Sequence, residues 1–222
     1  VQKRVGDLFT HIGVIENGAF SIGDAVEMNV DTENRSCLRA NHSATHLLHE
    51  SLRRHLGDHV TQKGSLVDSQ KLRFDFSHSR PVEAQTLKMV EHEVNEQIRG
   101  NTEVVTQLMQ PEDAINTGAT ALFGEKYGEE VRVVSMGEYE VDAPKARYSA
   151  ELCGGTHVTR TGDIGTFHLI SEGAVASGVR RIEAATAKRA IEYFNSKEEI
   201  LNLTARFLKS THEQLTDRVS NL

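Results

Sequence analysis

The stretch Ser65-Leu66-Val67-Asp68-Ser69-Gln70-Lys71-Leu72-Arg73-Phe74-Asp75-Phe76 decides the fold class. Two short runs, Ser65-Leu66-Val67 and the alternating Leu72-Arg73-Phe74-Asp75-Phe76, flank Asp68-Ser69-Gln70, as strands do around a turn. This predicts a hairpin. On its upstream side, residues 41–56 read as a helix, with Asn41 as N-cap, Gly57 as the stop and Leu48, Leu52 and Leu56 as the apolar stripe. On its downstream side, Pro81 opens a second helix whose Leu87, Val90, Val94 and Ile98 keep one face apolar until Gly100-Asn101. A hairpin between two amphipathic helices points to a mixed α+β architecture, an antiparallel sheet with packed helices.

Further strands are expected at 103–109, 131–134, 147–152, 165–175 and 179–185, with a short helix at 111–115. Residues 1–35 read as glycine-punctuated short strands. Residues 25–30 alternate most clearly, which suggests part of a small β-barrel. From about Ala187 the pattern turns helical. Phe194, Leu201, Leu208, Leu215 and Leu222 are spaced by seven, but the partner positions Ile191, Glu198, Ala205, His212 and Val219 are mixed. A projecting helical arm and a helix lying on the domain fit equally.

The composition is that of a globular chain: 222 residues, 38% hydrophobic, 26% charged and only three prolines. No apolar run approaches the roughly 20 residues of a membrane helix. Two cysteines, Cys37 and Cys153, are too few for a disulfide framework and suit a reducing, cytosolic compartment. The net charge of −7 argues against a surface that grips nucleic acid everywhere, while allowing a local basic track. Val1 is not a start methionine, which suits a fragment or a processed chain.

Eleven histidines stand out by placement more than by number. His42 and His46 are four apart on the expected helix. At about 100° per residue their rings differ by roughly 40° around the axis, the arrangement by which a helix offers two imidazoles to one metal. Cys153 and His157 are also four apart, across Gly154-Gly155. Three nitrogens and one sulfur favour zinc over magnesium or calcium. Either pair alone is easily accidental, and His49, one turn on, shows how readily histidine recurs. A metalloprotease needs Glu directly after the first His; here Ser43 stands there. A zinc finger needs closely spaced ligand pairs around a mini-fold, whereas this chain has a core of its own.

Asn41-His42-Ser43-Ala44-Thr45-His46-Leu47-Leu48 and Leu152-Cys153-Gly154-Gly155-Thr156-His157-Val158 closely resemble the editing region of the alanyl-tRNA synthetases. Val60-Thr61-Gln62-Lys63-Gly64-Ser65-Leu66, Leu72-Arg73-Phe74-Asp75-Phe76 and Gly178-Val179-Arg180-Arg181-Ile182-Glu183-Ala184 extend the likeness, which covers roughly residues 1–190. Free-standing AlaX-type proteins and the threonyl-tRNA synthetase editing domain are relatives. The resemblance implies three parts: a β-barrel portion at 1–35, a zinc-containing editing domain at 36–190 and the start of a helical or coiled-coil arm at 191–222. That arm could support self-association at full length.

It also implies a cytoplasmic hydrolase that deacylates Ser-tRNA(Ala) and, less, Gly-tRNA(Ala). No ATP-binding motif appears, so aminoacylation is not expected. A pocket built for alanine cannot easily exclude glycine, and an extra hydroxyl is rejected only about 10²-fold in a comparable case. Zinc would either activate water or orient the substrate; four protein ligands close its tetrahedron, and the sequence leaves both roles open. Thr45 is a candidate for the seryl hydroxyl, or is simply packed in its helix. Gln62 is a candidate to hold water or the carbonyl oxygen. The Gly154 and Gly155 amides are candidate oxyanion donors, or the glycines only permit the turn. Arg180 and Arg181 are adjacent on a strand and face opposite ways. At most one lines the pocket, with Arg181 the candidate there and Arg180 a phosphate contact. Lys63, Lys71 and Arg73 could complete a basic track for the tRNA acceptor end. Two alternatives stand beside the hydrolase: a zinc-stabilised tRNA-binding module without catalysis, and a free-standing trans-editing protein.

Overall fold

The computed structural model describes residues 2–3, 8–116, 118–120, 129–138 and 147–221. Contacts divide the chain into Val1–Asp31 and Thr32–Leu222. In the first unit, β1 (Gln2–Lys3) pairs antiparallel with β2 (Phe9–Thr10). The strand expected at 25–30 is absent: Val26, Met28 and Val30 are exposed in irregular chain. Among the described residues no barrel forms. Two strands of two residues cannot close one, and the alternating side chains of 25–30 have no sheet to pack on.

The second unit begins with helix α1 (Thr32–Leu56), nine residues earlier than expected. Its first two turns are polar and solvent-facing, so no apolar period announces them. Asn41 is not a cap. It is buried mid-helix, where its amide donates to the Asp68 carbonyl at 2.8 Å and accepts from the Thr186 hydroxyl at 2.7 Å. The hairpin forms as read. Strand β3 (Gln62–Val67) pairs antiparallel with β4 (Leu72–Ser77), and Asp68 Oδ1 closes the turn by accepting from the Gln70 and Lys71 amides.

Helix α2 (Ala84–Arg99) buries Val90, Val94 and Ile98. It starts three residues after Pro81, and Leu87 is half-buried. Then come β5 (Val105–Met109), α3 (Pro111–Asn116), β6 (Val131–Glu138), β7 (Arg147–Leu152), a 3-10 turn (Thr161–Ile164), β8 (Phe167–Ala176) and β9 (Val179–Thr186). Two antiparallel sheets result, with orders β3-β4-β9-β8 and β5-β6-β7.

Leu72, Phe74 and Phe76 of β4 and Ile182 and Ala184 of β9 share one core with Ala44, Leu47, Leu48 and Leu52 of α1 and the buried face of α2. A smaller cluster joins Ala114, Ala119, Val131, Val133 and Leu152. The α+β class expected from the hairpin is therefore the observed one.

Helix α4 (Ala187–Leu208) buries Ala190 and Ala205, then ends at Lys209, which is left-handed at φ 47°. Helix α5 (Leu215–Ser220) follows. The spacing of seven therefore does not run on one helix: Phe194, Leu201 and Leu208 lie before the break and Leu215 after it. Leu222 lies outside the described residues. No helix among the described residues is long and apolar enough to cross a membrane.

Candidate metal centre

Helix α1 and the turn after β7 meet at four side chains. The ligand atoms of His42, His46, Cys153 and His157 all lie within 4.8 Å of one another. Cys153 Sγ is 3.5 Å from His42 Nε2 and 3.3 Å from His157 Nε2. The two spaced pairs read from the sequence thus converge on one point.

The turn is built to hold this approach. The Cys153 amide donates to the Arg132 carbonyl at 2.9 Å, and the Arg132 guanidinium reaches the carbonyls of Cys153 and Gly155 at 2.9 and 2.5 Å. A Cβ at Gly155 would sit 2.2 Å from His42 Cε1, so only glycine lets the turn close on that ring. The Gly155 amide is directed at Cys153 Sγ, 3.4 Å away. Gly154 is exposed, with open space around its α-carbon.

His46 and His157 of the cluster, and His49 beside it, are oriented from behind. His46 Nδ1 bonds Glu151 Oε2 at 2.8 Å, and His49 Nδ1 bonds Glu151 Oε1 at 2.9 Å. His157 Nδ1 meets Ser43 Oγ at 3.1 Å, and that same oxygen accepts from the Val158 amide at 3.1 Å. Partners on the far nitrogen fix the ring and the tautomer of metal-binding histidines. Ser43, Arg132 and Glu151 were not read as site residues, and His49 was read as a chance recurrence. Glu151 had one legible signal: it lies on the strand that leads into the turn, two residues before Cys153.

The electrostatics suit a cation. Burial alone would raise the Cys153 thiol, but hydrogen bonds from His157 and His42 and the charge of His46 hold it down at about 3, so the sulfur is a thiolate at neutral pH. Burial, and then the charges on His46 and His42, keep His157 neutral at about 4. Burial also disfavours charge on His46, yet the Glu151 carboxylate overrides it and pushes that ring up to about 10. Glu151 itself is held well below the usual carboxylate range; burial opposes this, but its two histidine partners prevail. His46 Nε2 is buried without a hydrogen-bond partner. A thiolate, a neutral imidazole and a buried nitrogen that demands positive charge fit a soft divalent ion such as zinc.

The remaining candidates lie around this cluster. Thr45 is buried, and its hydroxyl donates to the Asn41 carbonyl at 2.9 Å. Gln62 opposes Phe76 across β3–β4, on the sheet face that packs against α1. Arg180 and Arg181 do face opposite ways. Arg180 is on the face of Ile182 and Ala184, bidentate to Glu172 at 2.5 and 2.8 Å. Arg181 is on the outer face, bidentate to Asp75 at 2.7 and 2.8 Å, away from α1. Lys71 bonds Glu183 at 2.5 Å, and Arg73 approaches Asp75 at 3.9 Å. Lys63 is exposed at the irregularity between Gln62 and Gly64. Lys71, Arg180 and Arg181 thus pair with carboxylates across to a neighbouring strand, and Arg73 with Asp75 of its own strand, rather than forming an open basic track.

Residues 131–183 match the family model of the threonyl and alanyl tRNA synthetase second additional domain. That interval carries β6, β7, Cys153, His157 and most of the β8–β9 pair, so the class of protein is a synthetase accessory domain. The chain is 56% identical over 221 residues to alanine--tRNA ligase from Parvibaculum lavamentivorans, matching 100% of this chain and 25% of that protein. Alanine--tRNA ligases from Sphingopyxis alaskensis (52%, 99% of this chain and 24% of that protein) and Granulibacter bethesdensis (54%, 100% and 25%) are similar along the same stretch. The chain belongs to the alanyl-tRNA synthetase family and spans about a quarter of the length of the curated relatives it matches.

Proposed function

We propose that this chain is a proofreading hydrolase, cutting the ester of Ser-tRNA(Ala) and, less efficiently, Gly-tRNA(Ala) in the cytoplasm. The observation that carries this reading is the convergence of His42, His46, Cys153 and His157 within 4.8 Å, braced by Glu151 and Ser43. Held by those four side chains, a zinc ion supplies a fixed positive charge that draws in and orients polar substrate groups.

The chain's own residues supply the rest. The Thr45 hydroxyl, already donating to its helix, accepts a hydrogen bond from the seryl hydroxyl; alanine has none to offer. Gln62, on the sheet face that packs against α1, orients the attacking water or the carbonyl oxygen. The Gly154 amide is the better oxyanion donor of the two glycines, because that of Gly155 is directed at sulfur. Water adds to the ester carbonyl, the bond to the ribose oxygen breaks, and that oxygen takes up a proton. Serine and tRNA(Ala) leave. Arg181 enters this reading only through Asp75. Arg180 lies on the α1-facing side of the sheet.

The test is release of serine from Ser-tRNA(Ala) by the zinc-loaded chain, with Ala-tRNA(Ala) as control. Serine-specific release is expected, and Cys153→Ala should abolish or sharply reduce it together with zinc retention. Zinc-loaded protein that binds tRNA and releases no serine would overturn the hydrolase in favour of a binding module.

A further inference from the structure

A second histidine pair lies outside the metal cluster. His59 and His78 stack with ring centroids 5.2 Å apart and planes 25° apart, and His59 Nε2 bonds His78 Nδ1 at 2.9 Å. His78 stacks in turn on Phe76, and Phe76 on Phe74, at 6.3 and 6.1 Å. His49, the partner of Glu151, closes the row against Phe74 at 5.1 Å. One line of flat rings thus runs from beside the metal cluster to solvent. Phe74 and Phe76 are fully buried and brace the row, whereas His59 is exposed.

The fold does not rely on the His59 ring to hold this place. The backbone is pinned instead. Ser77 Oγ donates to the His59 carbonyl at 2.6 Å, the Ser77 amide to the Thr61 carbonyl at 3.0 Å, and the His78 amide to the Gly178 carbonyl at 3.0 Å. The pair is therefore rigid and pre-placed. Burial, then the charges of His59, Arg80 and Arg180, hold His78 below the ordinary imidazole value despite Glu172, which favours a neutral, flat ring at physiological pH. Arg80 beside it is exposed and offers positive charge at the rim.

We propose that the outer face of His59, backed by His78 and Phe76, is a stacking platform for unpaired bases at the 3′ end of an RNA. A flat exposed ring with a cationic neighbour is the chemistry that recognises single-stranded nucleic acid, because every base presents a π-face and each nucleotide a phosphate. The proposal rests on the reading of the chain as one that acts on aminoacylated tRNA. It names where the acceptor end is gripped outside the metal cluster.

The probe is a short RNA hairpin with a single-stranded 3′ extension, compared with the same hairpin cut blunt. Binding to the full chain is followed by fluorescence anisotropy. The extended hairpin should bind more tightly. His59→Ala should weaken it on the order of 10-fold, leave the blunt hairpin unaffected and leave thermal unfolding unchanged. His59→Phe, which keeps a flat ring without the N–H···N bond, should restore affinity. Equal binding of the two hairpins by the unsubstituted protein, or equal affinity of His59→Ala for the extended one, overturns the platform. Loss in His59→Phe equal to that in His59→Ala also overturns it, since the hydrogen bond and not the ring would then matter. Binding is read without turnover, so a chain that fails to release serine and still shows this pattern loses the hydrolase and keeps the platform.

Discussion

Glu151 bonds two imidazoles with its two oxygens and is buried while doing so. A carboxylate behind a metal-binding histidine raises its basicity and fixes its tautomer. Glu151→Gln keeps the shape and removes the charge. It should weaken zinc affinity about 10- to 100-fold, as read by competition with a chelating dye, while zinc-saturated protein keeps its fold. Unchanged affinity would reduce Glu151 to a buried strut. The His42–His46 pair was legible in the sequence because i, i+4 spacing on a helix is itself a geometric statement, whereas Cys153 and His157 lie on a turn, where the same spacing fixes no direction. Glu151, Ser43, Arg132 and His49 were not legible. Their roles arise only when β7 lies against α1, and Glu151 is more than a hundred positions from both of its partners. Arg181 was legible as a strand residue facing opposite to Arg180, but not as the partner of Asp75.

Strand β4 shows how one element serves two environments. Its Leu72, Phe74 and Phe76 face the helices with no exposure, and Arg73 and Asp75 share the opposite face, where Asp75 pairs with Arg181 across the strands. Phe74 touches both His49 and Phe76, so Phe74→Ala should cost about 3–5 kcal/mol in chemical denaturation. A loss below about 1 kcal/mol would mean that the core collapses around the gap. The outer face makes a pH prediction. Hydrogen bonds from Arg181, with further help from the charges of Arg181 and Arg73, hold the Asp75 carboxyl below its ordinary 3.8, against a smaller opposing effect of burial. A carboxyl lowered in the folded state stabilises the fold above its unfolded pKa and loses that contribution as pH falls through the folded value. Asp75→Asn should therefore melt lower at neutral pH. Its melting temperature should also depend less steeply on pH below about 4; parallel acid limbs would remove Asp75 from the acid transition.

The β3–β4 hairpin and strand β7 were legible because the Asp68 turn and the alternation within β4 and β7 are local. The start of α1 was not, because its first two turns face water, and Asn41 resembled a cap while serving as a tertiary bridge. The break at Lys209 was equally hidden, since neither glycine nor proline marks it.

At the scale of the molecule, the centre joins two sheets. His42 and His46 ride on α1, which packs on the four-stranded sheet, while Cys153 follows the last strand of the three-stranded one. An ion that binds this arrangement and not the unfolded chain stabilises the fold by mass action, by about 2.7 kcal/mol when free metal is a hundredfold above Kd. Stripping the metal with a chelator should lower the melting temperature, and adding zinc back should restore it in a concentration-dependent way. A melting temperature indifferent to chelation would leave the four side chains as a hydrogen-bonded cluster only.

His42 and Cys153 stand 111 positions apart in the chain. An ion held between them is a reversible crosslink that closes a very long loop, and closing long loops is what most restricts an unfolded chain. Metal occupancy therefore reports whether the two sheets are docked. A chain whose three-stranded sheet swings free would shed its ion while the four-stranded core is still folded.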